Sequence, residues 1–88
     1  MPFFSVIIPT YNRPETLDRA ISSVLKQSFS DFELIIVNNG SERLHIAVKD
    51  DRIKILTEKK TGASYARNTG IQNANGQFIC FLDDDEYM

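Results

Sequence analysis

Four acidic residues, Asp83 to Glu86, follow directly on an apolar run, Phe78 to Leu82. The run is typical of a buried strand, whereas adjacent carboxylates repel one another and cannot share a core. Carboxylates at the end of a strand suit a hard divalent cation, Mg²⁺ or Mn²⁺, which relieves the repulsion and can hold a diphosphate. The alternative is a solvated acidic loop. The position of the acids at the mouth of a strand favours the cation site.

Several other residues could have either a binding role or a structural role. Tyr11 could stack on a nucleobase or cover the start of a helix. Asn38 and Asn39 could hydrogen-bond a base or ribose, although "NNGS" is also good turn chemistry. Arg67 and Lys60 could meet phosphate charge or remain solvated. Neither GxxxxGK[ST] nor GxGxxG occurs, so side chains and a metal would have to hold any diphosphate.

The elements that would position these residues alternate between strand and helix. Short apolar runs predict strands, and amphipathic stretches between them predict helices. The predicted strands are Phe4–Pro9, Leu34–Val37, Arg52–Leu56 and Phe78–Leu82. This alternation predicts an α/β fold, with a Rossmann-like parallel sheet and helices on both faces. Right-handed crossovers favour the strand order 3-2-1-4, and ligands bind beyond the carboxyl ends of such strands.

Two helices are predicted between these strands, and a third is weakly indicated. The first starts at Asn12, with Glu15 in capping-box spacing, and buries an apolar face. That face consists of Leu17, Ala20, Ile21, Val24 and Leu25. The second covers Ala63 to Asn73, where Gly70 suggests close packing on the sheet. The stretch "SERLHIAVKD" is weakly helical.

Composition limits the class of protein. The chain has 88 residues, enough for one domain, and a net charge of −2, which argues against a nucleic-acid partner. Its single cysteine, Cys80, excludes an internal disulfide, and a buried structural thiol is expected. No signal peptide and no run of ~20 apolar residues is found. A cytoplasmic protein follows, and membrane association of the full-length protein stays open.

The order of the motifs resembles that of a known family. "SVIIPTYNRPETLDRAISSVLKQSFSDFELIIVNNGS", "GASYARNTGI" and "GQFICFLDDDE" together look like the nucleotide-binding half of family 2 glycosyltransferases. These are inverting enzymes of the GT-A fold. The resemblance covers nearly all of residues 1–88 and is weakest between Glu42 and Lys60. It implies that the chain is a partial glycosyltransferase domain, a truncated GT-A fold that binds the donor nucleotide.

The resemblance also implies roles for individual residues. The family's acidic pair after the second strand, which accepts a hydrogen bond from the base, falls here on two amides, Asn38 and Asn39. The final aspartate of the DxD-type motif, Asp85, would ligate the metal. The nucleotide-binding residues would be Pro9, Thr10, Tyr11, Asn39, Arg67 and Asp84.

The implied reaction is displacement at the anomeric carbon of a nucleotide sugar, commonly UDP-linked, by a hydroxyl of a carbohydrate or lipid-linked acceptor. A Mg²⁺ or Mn²⁺ cofactor would stabilise the leaving diphosphate. The catalytic base is expected outside this chain, which by itself should be inactive. The competing hypothesis is a non-catalytic nucleotide-binding module. A homodimer through the exposed edge of the fourth strand is also expected.

Overall fold

The computed structural model describes residues 2–12, 14–27, 31–40, 44, 46 and 50–84. The elements are β1 (Phe4–Thr10), α1 (Pro14–Leu25), β2 (Phe32–Asn38), β3 (Ile53–Thr57), α2 (Ala63–Gln72) and β4 (Phe78–Phe81). All four strands are parallel, in the order β3-β2-β1-β4. The predicted α/β class and strand order are confirmed.

The two helices cover opposite faces of the sheet, because alternate side chains of a strand point to opposite sides. On one face, the predicted apolar stripe of α1 packs on the even-numbered residues of β1 and β2, among them Val6 and Leu34. On the other face, Ala66 of α2 packs with Ile7 and Ile35. Both faces of the two central strands are therefore buried, as the sequence predicts.

Gly70 brings α2 against the sheet. A Cβ atom placed on this residue would lie 2.6 Å from Cγ2 of Ile7, closer than real Cβ contacts allow. The predicted close packing at this glycine is confirmed. Its lower helix propensity is offset by a closer approach of α2 to β1.

Several element boundaries differ from the predictions. β2 begins at Phe32, earlier than predicted, because Phe32 and Glu33 pair with Phe4 and Ser5 of β1. Asn12 lies two residues before α1 with φ of 52°, a left-handed conformation rather than the extended one of an N-cap.

The weak helix predicted over residues 41–50 falls largely outside the described residues. Of that stretch, Leu44, Ile46 and Asp50 are described, and none of them is helical. Leu44 and Ile46 pack against the α1 side of the core.

β4 is more exposed than a buried strand. Phe78 and Phe81 are each about half exposed, at 53% and 47%, and Cys80 is only partly buried. The reason is that β4 pairs with β1 on one side and has no second partner among the described strands. Within the part of the chain that the structure describes, neither helix is long and apolar enough to cross a membrane.

A polar network around two buried residues, Ser5 and Glu33, lies where the strands begin, and we call it the amino-edge cluster. It consists of Ser5, Glu33 and Lys54 with the backbone of Asn75 and Gly76. Glu33, only 5% exposed, accepts hydrogen bonds from Ser5 Oγ at 2.6 Å and Asn75 N at 2.5 Å. Lys54 Nζ lies 2.8 Å from its other oxygen, and Gly76 N donates to Ser5 Oγ. The cluster fastens the α2–β4 turn to the sheet.

Candidate functional site

A cleft of about 450 Å³ opens at the opposite edge of the sheet, beyond the carboxyl ends of the strands. Its walls come from the ends of β1, β2 and β4 and from the start of α2. It is lined by Pro9, Thr10, Tyr11, Asn39, Thr61, Gly62, Ala63, Arg67, Asp83 and Asp84. All six residues predicted to bind a nucleotide line this cleft. These residues are far apart in sequence but lie close together in the fold, because the parallel sheet brings the carboxyl ends of its strands to one edge.

Asp84 is held against the end of β1. Leu82 N continues the β1–β4 pairing by donating to Ile7 O at 3.0 Å, so the following acids are placed beside Thr10. Thr10 Oγ1 donates to Asp84 Oδ2 at 2.9 Å, and Asp84 is only 7% exposed. Asp83 is exposed and also lines the cleft. Asp85, the predicted metal ligand, lies outside the described residues.

Arg67 and Tyr11 face the cleft from other elements. Arg67 lies on α2, partly buried, and its guanidinium makes no hydrogen bond or ion pair with any described residue. Tyr11 follows β1 and is 49% exposed. The cleft thus contains two carboxylates, a guanidinium that is free to pair with an anion, and an aromatic ring that is free to stack.

Asn39 contacts the β3–α2 loop, residues 58–62. Its Nδ2 group donates to Glu58 O at 3.0 Å and to Lys60 O at 2.8 Å, and its Oδ1 accepts from Gly62 N at 3.0 Å. The neighbouring Asn38 uses its Oδ1 to accept from Gly40 N, which is the turn role considered for "NNGS". Both amides therefore have structural contacts that the sequence pattern did not distinguish from base recognition.

Glu58 extends these contacts to α2. Its carboxylate accepts from Thr69 Oγ1 at 2.7 Å and from Lys60 N at 3.2 Å. These two hydrogen bonds, the one from Thr69 first, lower the pKa of Glu58. Glu58 also lines a second cavity of about 240 Å³, which shares Tyr11, Asn39 and Thr61 with the cleft.

Sequence reasoning missed the loop that closes this side of the cleft. Thr61, Gly62 and Ala63 line it, but none was singled out. Gly62 has φ of 141°, a conformation that favours glycine, and it immediately precedes α2. A glycine directly before a predicted helix was the available signal. Lys60, considered for phosphate, lies over the ring of Tyr65 at 5.6 Å.

The donor set of the cleft fits a cation that is shared with a substrate. Within the described ranges, no group of three or more His, Cys, Asp or Glu side chains could enclose a metal ion. Mg²⁺, however, is usually held by one or two carboxylates together with substrate phosphates. Asp84, buried and oriented by Thr10, and Asp83, exposed in the cleft, match that type of site.

Comparison with known proteins shows the family. The family model for glycosyl transferase family 2 matches residues 5–88. An uncharacterized glycosyltransferase of Rickettsia conorii is 47% identical over 93% of this chain and 14% of its own length. WfgD of Escherichia coli, named UDP-Glc:alpha-D-GlcNAc-diphosphoundecaprenol beta-1,3-glucosyltransferase, is 44% identical over 93% of this chain and 34% of its own. The chain thus spans about a third or less of these curated relatives.

Solved structures support the same fold. The crystal structure of S. aureus TarS superposes with a TM-score of 0.80 and 27% identity, covering 97% of this chain and 17% of TarS. The mannosyltransferase PcManGT of Pyrobaculum calidifontis, in complex with GDP-Man and Mn²⁺, has a TM-score of 0.78. It is 20% identical over 98% of this chain and 28% of its own, and supports the fold alone. The α/β sheet is that of GT-A glycosyltransferases, and the chain belongs to glycosyl transferase family 2.

Proposed function

We propose that this chain is the donor-binding part of an inverting, metal-dependent glycosyltransferase that moves a sugar from a nucleoside-diphosphate donor to an acceptor hydroxyl. One observation carries the proposal. The cleft at the carboxyl edge combines Arg67, unpaired among the described residues, with Asp83 and Asp84 and an exposed Tyr11. An unpaired guanidinium can bind the phosphates of a nucleoside diphosphate, a pair of acids can bind its metal ion, and an exposed ring can stack on its nucleobase.

Each group has a task in this proposal. Tyr11 stacks on the base, since every base has a π face. Arg67 pairs with phosphate oxygens, and Thr10 fixes the orientation of Asp84 through its hydroxyl. Asp85 ligates a Mg²⁺ or Mn²⁺ ion, with Asp84 as its neighbour. When bound, the cation neutralises charge on the leaving diphosphate.

The catalytic base, which removes the proton from the acceptor hydroxyl, is assigned to no residue of this chain. We propose that it belongs to the acceptor-binding region of the longer protein, and we expect no sugar transfer by these 88 residues alone. Proton transfer and acceptor positioning each contribute orders of magnitude to such a rate. Sugar transfer by the isolated chain would contradict this assignment.

The relatives' names suggest the substrates. WfgD is named for a UDP-linked glucose donor and an undecaprenol diphosphate acceptor. A Campylobacter jejuni relative, 40% identical, is named as a glucosyltransferase acting on a PP-undecaprenol acceptor. We therefore propose a UDP-linked donor, a lipid-linked acceptor, and a cytoplasmic protein that associates with a membrane in its full-length form.

Calorimetric titration with UDP, with Mn²⁺ and then with EDTA, tests donor binding. We expect binding that depends on the metal and is lost in Asp85→Ala. The control is Asp31→Ala, which removes an exposed acid just before β2. Binding that is unchanged by EDTA or by Asp85→Ala would contradict the metal site.

The homodimer stays a prediction. The outer edge of β4 has exposed Phe78, Ile79 and Phe81, and exposed apolar edges recruit other chains. Light scattering at high concentration should show dimers. A mass that stays monomeric would contradict the prediction.

A further inference from the structure

Asn39 lines the cleft but is only 7% exposed, because its side chain contacts the β3–α2 loop. Both hydrogens of its amide are used, one for Glu58 O and one for Lys60 O. Its oxygen accepts from Gly62 N. An asparagine offers two donors and one oxygen, so its donors are fully used by the β3–α2 loop.

These contacts lead directly to the start of α2. Gly62 N is bound to Asn39, while Gly62 O accepts from Tyr65 N at 3.1 Å and Ala66 N at 3.2 Å, in the first turn of the helix. Arg67 follows immediately. Asn39 therefore fixes the residue from which the helix that carries Arg67 begins.

An aspartate could not make the same contacts. A carboxylate has no hydrogen to donate at neutral pH, so the oxygen that replaces Nδ2 would lie about 3 Å from two carbonyl oxygens that now receive hydrogen bonds. It could still accept from Gly62 N. The amide is thus required by the loop, which gives a physical reason for an asparagine at a position where the resemblance leads one to expect an acid.

We propose that Asn39 is a positioning residue, which fastens the 58–62 loop and thereby sets Arg67 against the diphosphate, and that it does not read the base. The inference rests on the proposed function, because it assigns Arg67 to the diphosphate. It predicts that changes at Asn39 alter nucleotide affinity through Arg67, and equally for different bases.

Asn39→Asp tests the inference, with Asn68→Asp as the matched control. Asn68 lies exposed on α2 and undergoes the same chemical change. Hydrogen exchange of the 58–62 segment should accelerate about tenfold in Asn39→Asp, since two hydrogen bonds are lost, and stay unchanged in the control. Unchanged exchange in Asn39→Asp would overturn the inference that Asn39 holds this loop in place.

Nucleotide affinity separates positioning from base reading. With Mn²⁺ present, Asn39→Asp should weaken UDP and GDP by the same factor. In an Arg67→Ala background it should have no further effect, as a double-mutant cycle would show. A selective gain for UDP would identify a base reader, and additive losses would show that Asn39 does not act through Arg67. Either result overturns the inference, whereas a wild-type protein that binds neither nucleotide contradicts the proposed function itself.

Discussion

The two ends of β1 each carry a hydroxyl that donates to a buried carboxylate, but in different surroundings. At the amino end, Ser5 Oγ donates to Glu33 at 2.6 Å, and Glu33 also binds Lys54 Nζ and Asn75 N. At the carboxyl end, Thr10 Oγ1 donates to Asp84 at 2.9 Å. That acid lines a cleft of about 450 Å³ together with Arg67, whereas the partners of Glu33 are the protein's own turns and strands.

The difference shows that a buried acid does not by itself indicate function. Burial opposes the ionisation of Glu33, yet hydrogen bonds from Lys54, Ser5 and Asn75 outweigh it and lower the pKa of Glu33 from 4.5 to about 2. The amino-edge cluster thus has its own compensating charge and stabilises the fold. In the cleft, by contrast, the guanidinium of Arg67 and the carboxylates of Asp83 and Asp84 surround open space, which suits a ligand.

The largest effect should follow from opening the amino-edge cluster. Glu33→Ala removes the acceptor for Ser5 and Asn75 and the partner of Lys54. It should lower the free energy of unfolding by about 2–4 kcal/mol, measured by urea denaturation. Asp51→Ala, at an exposed turn position, should change it by less than about 0.5 kcal/mol. Equal losses in the two variants would show that the cluster has no special role.

The same cluster predicts how stability depends on pH. The folded pKa of Glu33 is about 2 and its ordinary value is 4.5, so its contribution is present above that ordinary value and is lost as pH falls towards 2. Between about pH 6 and about pH 3 the wild type should lose roughly 2 kcal/mol from this group. Glu33→Gln should flatten that part of the urea-midpoint profile. A profile that keeps its full slope would contradict the assignment.

Arg67→Ala should have the opposite effect to Glu33→Ala, since it should weaken nucleotide binding and leave stability nearly unchanged. Because the Arg67 side chain makes no hydrogen bond or ion pair with the described residues, its removal should leave the free energy of unfolding nearly unchanged. Affinity for UDP with Mn²⁺ should fall about tenfold, the value of one charge-assisted contact. Isothermal titration calorimetry measures UDP affinity in Arg67→Ala and in the control Arg19→Ala, which changes an exposed position of α1, and urea denaturation measures the stability of both. An unchanged affinity in Arg67→Ala would remove this arginine from the site.

The smallest effect compares the two hydroxyls directly. Ser5→Ala and Thr10→Val each remove a hydroxyl that donates to a carboxylate and should each cost on the order of 1 kcal/mol of stability, with Ser5→Ala costing more because Gly76 N also loses its acceptor. Only Thr10→Val should also weaken metal-dependent UDP binding, by about threefold, because Asp84 loses its orientation. If Ser5→Ala weakened binding as much, the two edges would not be functionally distinct.

Sequence reasoning predicted the parallel sheet, its order and the strand ends that meet at the cleft. It could do so because β-branched runs predict the strands, apolar residues at helical spacing predict the helices, and the right-handed crossover rule then favours one strand order. It missed Glu33, since one charged residue at the start of an apolar run looks like a boundary. It also could not separate turn, loop and base roles for Asn38 and Asn39. Those roles depend on which backbone groups lie opposite, and the fold alone determines that.

The central claim is that the carboxyl edge binds a nucleotide while the amino edge is structural. An NMR titration of the isotope-labelled protein with UDP and Mg²⁺, a diamagnetic ion, tests it most directly. We expect the amide signals of Tyr11, Gly62, Arg67 and Asp84 to shift, while those of Ser5, Glu33 and Gly76 stay in place. Shifts centred on the amino edge, or none at millimolar UDP, would contradict the account.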